Sequence, residues 1–460
     1  MWMWMSIMLT AMAGEQNSEW SAINWWSTWD DPLLIDAIET GLTNTPDANI
    51  AVQRVLQSEA MAKQMRAGFL PSLSASVSSN TQPAEALGFG FGLSNLSSMF
   101  PSDGTAEEDD SSDLFTSATM ALQVGVPLDI WGTSFTNYQA GLSDAKAANQ
   151  DYLTSLRSLS LMIANAYYDV VAIQSQYAIV LEQLQLGEVL LEITEMRHQR
   201  GDATVLDVLQ QRQQLSALNT QKVRIEQQMQ LSMQRLMLLL GESPTKSTNI
   251  QDGFPNIPIY NKEILTQALS YRPELLSAQQ RLESAQKRKY VAMTQMLPKL
   301  SIGGKLSRQA NYQDDPDDPW NTLDSWALST SATVTLFQGG GQWNALQSAE
   351  AAVVIAEENL RKVSLQIEQE IEQAVLTETQ QQEIIQLATQ QKEVALSAYQ
   401  EAKTQYQKGI TPFVTVLSNQ QAYQQSQLTL LQSQRDSVRI RLQTISSFGF
   451  TSDILDGLNE

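Results

Sequence analysis

Four short stretches of this chain alternate apolar with small polar residues. Leu73, Ala75 and Val77 alternate with Ser72, Ser74, Ser76 and Ser78, and Ala118, Met120, Leu122, Val124, Val126 and Leu128 alternate with Ser117, Thr119, Gln123 and Gly125. Leu300 and Ile302 alternate with Ser301 and Gly303, with Lys305 in the polar row. Trp326, Leu328, Ala332, Val334 and Leu336 alternate with Ser329, Ser331, Thr333 and Thr335. A period of two gives each strand one apolar and one hydroxyl-rich face. Strands are therefore expected over about 72–82, 116–128, 299–308 and 326–337. A packed sandwich shows the same alternation, but a row of small hydroxyls suits a wet lumen better than a dry interior.

The rest of the pattern is helical. From Gly132 to Gly201 there is no proline, and Leu156, Leu159, Ile163, Ala166, Val170, Ile173, Tyr177, Val180, Leu184 and Leu191 follow a 3-4-3-4 spacing that skips only Gly187. This is a heptad seam, and a helix over 132–200 would span about 100 Å. A return helix over 203–240 carries Leu215, Leu218, Ile225, Met229, Leu236 and Leu239. A second long helix over 341–408 has a weaker seam through Leu360, Val363, Ile367 and Ile371, with its own return helix over 412–446. A shorter helix precedes the first strand of each pair and stops at a Leu-Pro, because proline disfavours helix in the residue before it.

One unit is written twice. Pro71 and Pro298 stand 227 residues apart, as do Pro46 and Pro273; beyond the strands Gly132 and Gly340, Gly201 and Gly409, and Gly241 and Gly449 stand 208 apart. The missing 19 residues fall between the strands, where 82–115 is a long Gly/Ser/Asp-rich connection and its counterpart is short. The expected organisation is a leader remnant over 1–13, one repeat over 14–241, a linker over 242–260, a second repeat over 261–449 and a tail over 450–460.

Composition narrows the partners. A net charge of −21 leaves no basic surplus for nucleic acid. There are no cysteines, hence no disulfide, zinc-thiolate site or lipid-anchored cysteine. The apolar start with Ala11-Met12-Ala13 reads as the end of a secretory signal without its basic region, or as an ordinary apolar terminus. No run of 18 apolar residues occurs, so no transmembrane helix is expected, and a chain that enters a membrane without one needs a closed β-barrel. Four strands cannot close a barrel and open apolar edges aggregate, so strands pooled between subunits are expected.

The stretch "WWSTWDDPLLIDAIETGLTNTPDANIAVQRVLQSEAMAKQMRAGFLPSLSAS", followed in order by "PLDIWG", "YRPELLSAQQRLESAQ", "LFQGGG" and two glycine-centred helix reversals, resembles the TolC-like outer-membrane efflux proteins, most of all their RND-pump branch. The resemblance implies a mixed α and β membrane protein. Four strands per chain would enter a shared trimeric 12-stranded barrel continuous with a long coiled-coil barrel. It implies a homotrimer in the outer membrane of a Gram-negative bacterium, in contact with lipid, a periplasmic adaptor and an inner-membrane RND or ABC transporter. It implies no catalysis, and the residues themselves suggest neither cofactor nor metal.

On that reading Leu73, Val77, Met120, Leu122, Val124, Leu300, Ile302, Leu328 and Val334 face lipid. Gly201 and Gly409 suit helix C-caps with positive φ, and Asp202 and Thr411 suit the starts of the return helices. The resemblance places these turns at a gated periplasmic mouth that touches the adaptor. Arg197, Arg200 and Lys408 either complement a helix's negative end or hold the mouth shut. Where relatives carry an acidic ring, this chain has Thr415 and Ser418, matched in the first repeat by Asp207 and Gln210, so an acidic entrance would depend on Asp207. The single histidine, His198, has no second metal ligand beside it in sequence. The acidic runs 104–113 and 313–320 lack calcium-loop spacing and read as solvated connections; Trp320 and Trp326 fit an interfacial belt or a loop anchor. No catalytic triad, phosphate loop or dinucleotide fingerprint is present. The expected function is an exit duct for drugs or solvents, with metal ions or a secreted protein as the second cargo reading. A soluble coiled-coil scaffold is the alternative from another class.

Overall fold

The computed structural model describes residues 25–29, 31–83, 114–255, 272–312 and 320–448. The expected leader, most of both acidic connections, residues 256–260 of the linker, the start of the second repeat over 261–271, Gly449 and the tail lie outside them. The elements are α1 (Pro32–Asn44), α2 (Pro46–Arg66), β1 (Ser72–Pro83), β2 (Leu114–Leu128), α3 (Thr133–Gln199), α4 (Val205–Leu239), α5 (Pro273–Thr294), β3 (Lys299–Tyr312), β4 (Trp320–Thr333), α6 (Gly341–Gln407) and α7 (Phe413–Phe448). Two units follow: one of 1–58, 143–282 and 355–460, the other of 59–142 and 283–354. No described helix is long and apolar enough to cross a membrane.

The second unit holds a four-stranded antiparallel sheet in the order β1-β2-β3-β4. Register aligns the period-two rows across it. Leu73 pairs with Val124 and Val77 with Met120; Leu122 pairs with Leu306, Val126 with Ile302 and Leu128 with Leu300; Gly304 pairs with Leu328. The opposite face carries hydroxyl contacts, Ser301 to Ser331 at 2.7 Å and Ser307 to Ser325 at 2.8 Å. Aromatic and polar contacts hold the helix-side end: Trp131 Nε1 donates to the Pro298 carbonyl at 2.8 Å and Tyr290 Oη to that of Trp131 at 3.0 Å.

Two expectations need correction here. β3 runs on to Tyr312, so β4 begins at Trp320 rather than Trp326. β4 also stops at Thr333, whose partner Lys299 follows Pro298. Proline offers no N–H to continue the ladder, so Val334 and Leu336 lie beyond the strand.

The first unit is helical. Asp31 caps α1, its carboxylate accepting from the Leu34 amide at 3.0 Å. That buried carboxylate also accepts from the Tyr167 and Tyr168 hydroxyls at 3.2 Å each. Burial and the adjoining Asp31 charge raise both tyrosines far above their usual pKa, so they act as neutral donors. Trp25, Trp26 and Trp29 pack edge-on beside them, and Trp25 Nε1 donates to Ser160 Oγ at 3.0 Å. α1 lies so close to α3 that a Cβ on Gly41 would stand 2.4 Å from Ile163 Cδ1. The α3 seam is buried from Leu156 to Leu184 except for the half-buried Tyr177, its C-terminal half meeting Leu215, Leu218 and Ile225 of α4.

Candidate functional site

At the first helix reversal the Gly201 amide donates to the His198 carbonyl at 2.9 Å and that of Asp202 to Arg197 at 2.9 Å. This pair of bonds is a Schellman closure, with Gly201 at φ 82°. The second reversal repeats it: Gly409 donates to Tyr406 at 3.0 Å and Ile410 to Gln405 at 2.9 Å, with Gly409 at φ 76°. Only glycine takes this conformation without strain.

The starts of the return helices differ. α4 is capped by Thr204, not by Asp202. Thr204 Oγ1 accepts the Asp207 amide at 3.2 Å, and Asp207 Oδ2 accepts the Thr204 amide at 2.9 Å. This capping box corrects the reading of Asp202, which belongs to the closure of α3. Asp207 is engaged in the same box. At the second reversal Phe413 packs edge-on against Tyr406 with centroids 5.7 Å apart, and Thr411 Oγ1 is buried without a partner among the described residues.

Arg197 joins the two turns. Its Nη2 donates to the Asp202 carbonyl at 3.1 Å, and its guanidinium carbon lies 4.4 Å from the centre of the Tyr406 ring, within cation–π range. Burial raises the Tyr406 hydroxyl above its usual pKa, against the pull of Arg197. His198 Nδ1 meets the Ala203 carbonyl at 2.9 Å; the carbonyl accepts, so the proton is on Nδ1. Arg200 and Lys408 are exposed. Gln210 and Thr415 are half-buried and Ser418 is exposed; the Thr415 carbonyl accepts from Ser418 Oγ and Asn419 Nδ2 at 3.0 and 2.7 Å. Beneath the turns, Leu190, Tyr399, Ala402, Tyr406, Phe413, Val416 and Tyr423 form one apolar cluster. Sequence reasoning missed Thr204, although Thr204-x-x-Asp207 spells the box. It also missed Tyr406, whose partner lies 209 residues away.

In the sheet unit every expected lipid-facing residue except Val334 lies on the same face of the strands. That face is open: Leu73, Val77 and Leu328 are 68, 71 and 74% exposed. Among the described residues no cluster of His, Cys, Asp or Glu could hold a metal ion.

The family model for the outer membrane efflux protein matches residues 37–242 and 264–447. The pyoverdine export outer membrane protein OpmQ of Pseudomonas aeruginosa is 27% identical over 422 residues, covering 91% of this chain and 84% of that one. The multidrug resistance outer membrane protein MdtQ of Escherichia coli O157:H7 is 25% identical over 313 residues, 66% of this chain and 63% of that one. Among solved structures, VceC of Vibrio cholerae aligns with a TM-score of 0.78 at 22% identity, over 93% of this chain and 99% of that one. The Campylobacter jejuni channel CmeC aligns with a TM-score of 0.78 at 18% identity, over 95 and 91%. A sheet apolar on one face and hydroxyl-lined on the other, two glycine-closed helix reversals and a family match to both halves of the chain lead to one assignment: this chain belongs to the outer membrane efflux protein family and serves as an outer-membrane exit duct.

Proposed function

We propose that three copies of the chain pool their strands into one twelve-stranded barrel. Its apolar face meets lipid and its hydroxyl face lines the pore, and the helix reversals gate the periplasmic mouth against an adaptor fed by an inner-membrane pump of the RND type. One observation carries this reading. Among the described residues the sheet is open, with β1 and β4 as its unpaired edges, and one of its faces is apolar and uncovered. Four strands are too few to close on themselves, and a bare apolar sheet does not persist in water. The cargo is a small organic molecule. Its support is the company the chain keeps: relatives named for pyoverdine export, multidrug resistance and fusaric acid resistance.

The mass of the detergent-purified complex tests the assembly; three copies are expected, and a lone folded chain overturns it. The gate is tested at the glycines. Gly201→Val and Gly409→Val each force a β-branched residue into the left-handed region at a local cost of about 1–3 kcal/mol. Each is expected to reduce export-dependent drug resistance while leaving the trimer intact. Full resistance in both variants counts against the gate.

A further inference from the structure

The apolar face of the sheet carries one ion pair. Arg308 stands opposite Asp324 in the β3–β4 register. Its Nε donates to Oδ1 at 2.6 Å and its Nη2 to Oδ2 at 2.7 Å. These are the only charged residues on that face among the described strand residues. The face changes character at their row. On the helix side lie Ala75, Leu122, Leu306 and Trp326, then Leu73, Val124 and Leu328. On the hairpin side lie Ser79, Ala118, Ala310 and Thr322, then Thr81, Thr116 and the edge-on aromatic pair Tyr312 and Trp320, 5.5 Å apart.

Charges on the lipid face of a barrel are least costly at its interfaces, where aromatic girdles also lie. The spacing agrees. Arg308 is eight residues past Leu300, about 26 Å along the strand. At a tilt of about 40° that is roughly 20 Å along the membrane normal, close to the ~25 Å apolar band of such barrels. Beside the pair is a depression of about 490 Å³ walled by Ala75, Val77, Met120, Leu122 and Leu306. It sets an apolar wall beside a guanidinium. Asp324 engages two of the five N–H groups of Arg308 and holds its plane; the others have no acceptor among the described residues, and both side chains are about two-thirds exposed. A guanidinium fork matches a phosphate.

We propose that this depression is a lipid site, taking an acyl chain against Val77, Met120 and Leu306 and the phosphate of an outer-leaflet lipid on Arg308. The site rests on the barrel reading above. It is tested with the full chain in phosphatidylcholine vesicles, with and without lipid A, a phosphorylated glycolipid, and in phosphatidylcholine with free inorganic phosphate. The readouts are the thermal midpoint of the assembly and the lipid A retained on purification. Lipid A is expected to raise the wild-type midpoint, and free phosphate is not. Arg308→Gln should lose most of that rise and at least tenfold in retained lipid, Arg308→Lys should keep part of both, and Asp324→Asn should keep or increase both. A full rise in Arg308→Gln overturns the site, and an equal rise from free phosphate overturns the lipid as its source. Wild-type chain that fails to enter vesicles overturns the barrel reading and the site together; entry without any lipid A response overturns the site alone.

Discussion

Midway along their length, the helix pairs α3/α4 and α6/α7 bury several corresponding positions with different chemistry. In the first pair Ile173 and Val180 of α3 share a cluster with Leu218 and Ile225 of α4. The residues 208 positions further on are Gln381, Ala388, Ser426 and Ser433, and all four are buried too. There the contact is a hydrogen bond, Gln381 Nε2 donating to the Ser433 carbonyl at 2.7 Å. Val170, fully buried in α3, corresponds to Glu378, which pairs with Arg441 at 2.6 Å. Apolar burial is strong and non-directional. A buried hydrogen bond nets only about 1 kcal/mol and holds in one register. Over this middle stretch the second pair is therefore the softer and more register-specific of the two.

The largest effect should fall on the apolar seam. Ile225→Ala removes most of a side chain that is 3% exposed and should cost about 2–4 kcal/mol. Ser433→Ala should cost less than about 1 kcal/mol, because the hydroxyl bonds back to its own helix at Thr429 and the carbonyl that Gln381 uses remains. Guanidinium unfolding followed by helical circular dichroism in detergent compares them. Equal losses would dissolve the contrast between the pairs.

A smaller effect separates the pairs by pH. Burial raises the pKa of Glu378, and Arg441 only partly opposes the rise. A carboxyl whose folded pKa lies above its unfolded value binds more protons in the native state. Its contribution is full below the unfolded pKa and is lost as pH rises through the raised one. Stability of α6/α7 should therefore fall with rising pH in the window just above the ordinary glutamate range, and Glu378→Gln should flatten that slope. Val170 gives α3/α4 no counterpart. A variant with the wild-type slope would place the titration elsewhere.

Much of this was legible in the sequence, because period two and period 3.5 are both spelled in apolar spacing. The apolar strand rows and the α3 seam from Leu156 to Leu184 could be read residue by residue. What escaped depends on a partner. The ends of β4 are set by how far β3 runs between Pro298 and Tyr312, which no pattern within β4 reveals. Asp202 and Thr204 are both good capping residues, and only the spacing to Asp207 decides between them. Arg197 over Tyr406, Asp31 under two tyrosines and Arg308 opposite Asp324 join residues distant in sequence or in different strands. Each looks like an ordinary surface charge until the fold places it.

The smallest effect distinguishes the two helix reversals. The first is held by side-chain capping at Thr204 and Asp207, the second by Phe413 against Tyr406. Thr204→Ala leaves the Asp207 amide without its side-chain acceptor and should cost about 1 kcal/mol, felt locally as fraying of the first turn of α4. Thr411→Ala removes a hydroxyl that bonds nothing among the described residues and should change little. Hydrogen exchange of the amides after each turn reads the difference. Faster exchange at 205–208 in Thr204→Ala, with 413–416 unchanged in Thr411→Ala, would show that the Schellman closures are alike and the helix starts are not. Equal acceleration in both variants would mean that the second turn also relies on a polar cap, with Thr411 Oγ1 engaged in the working channel.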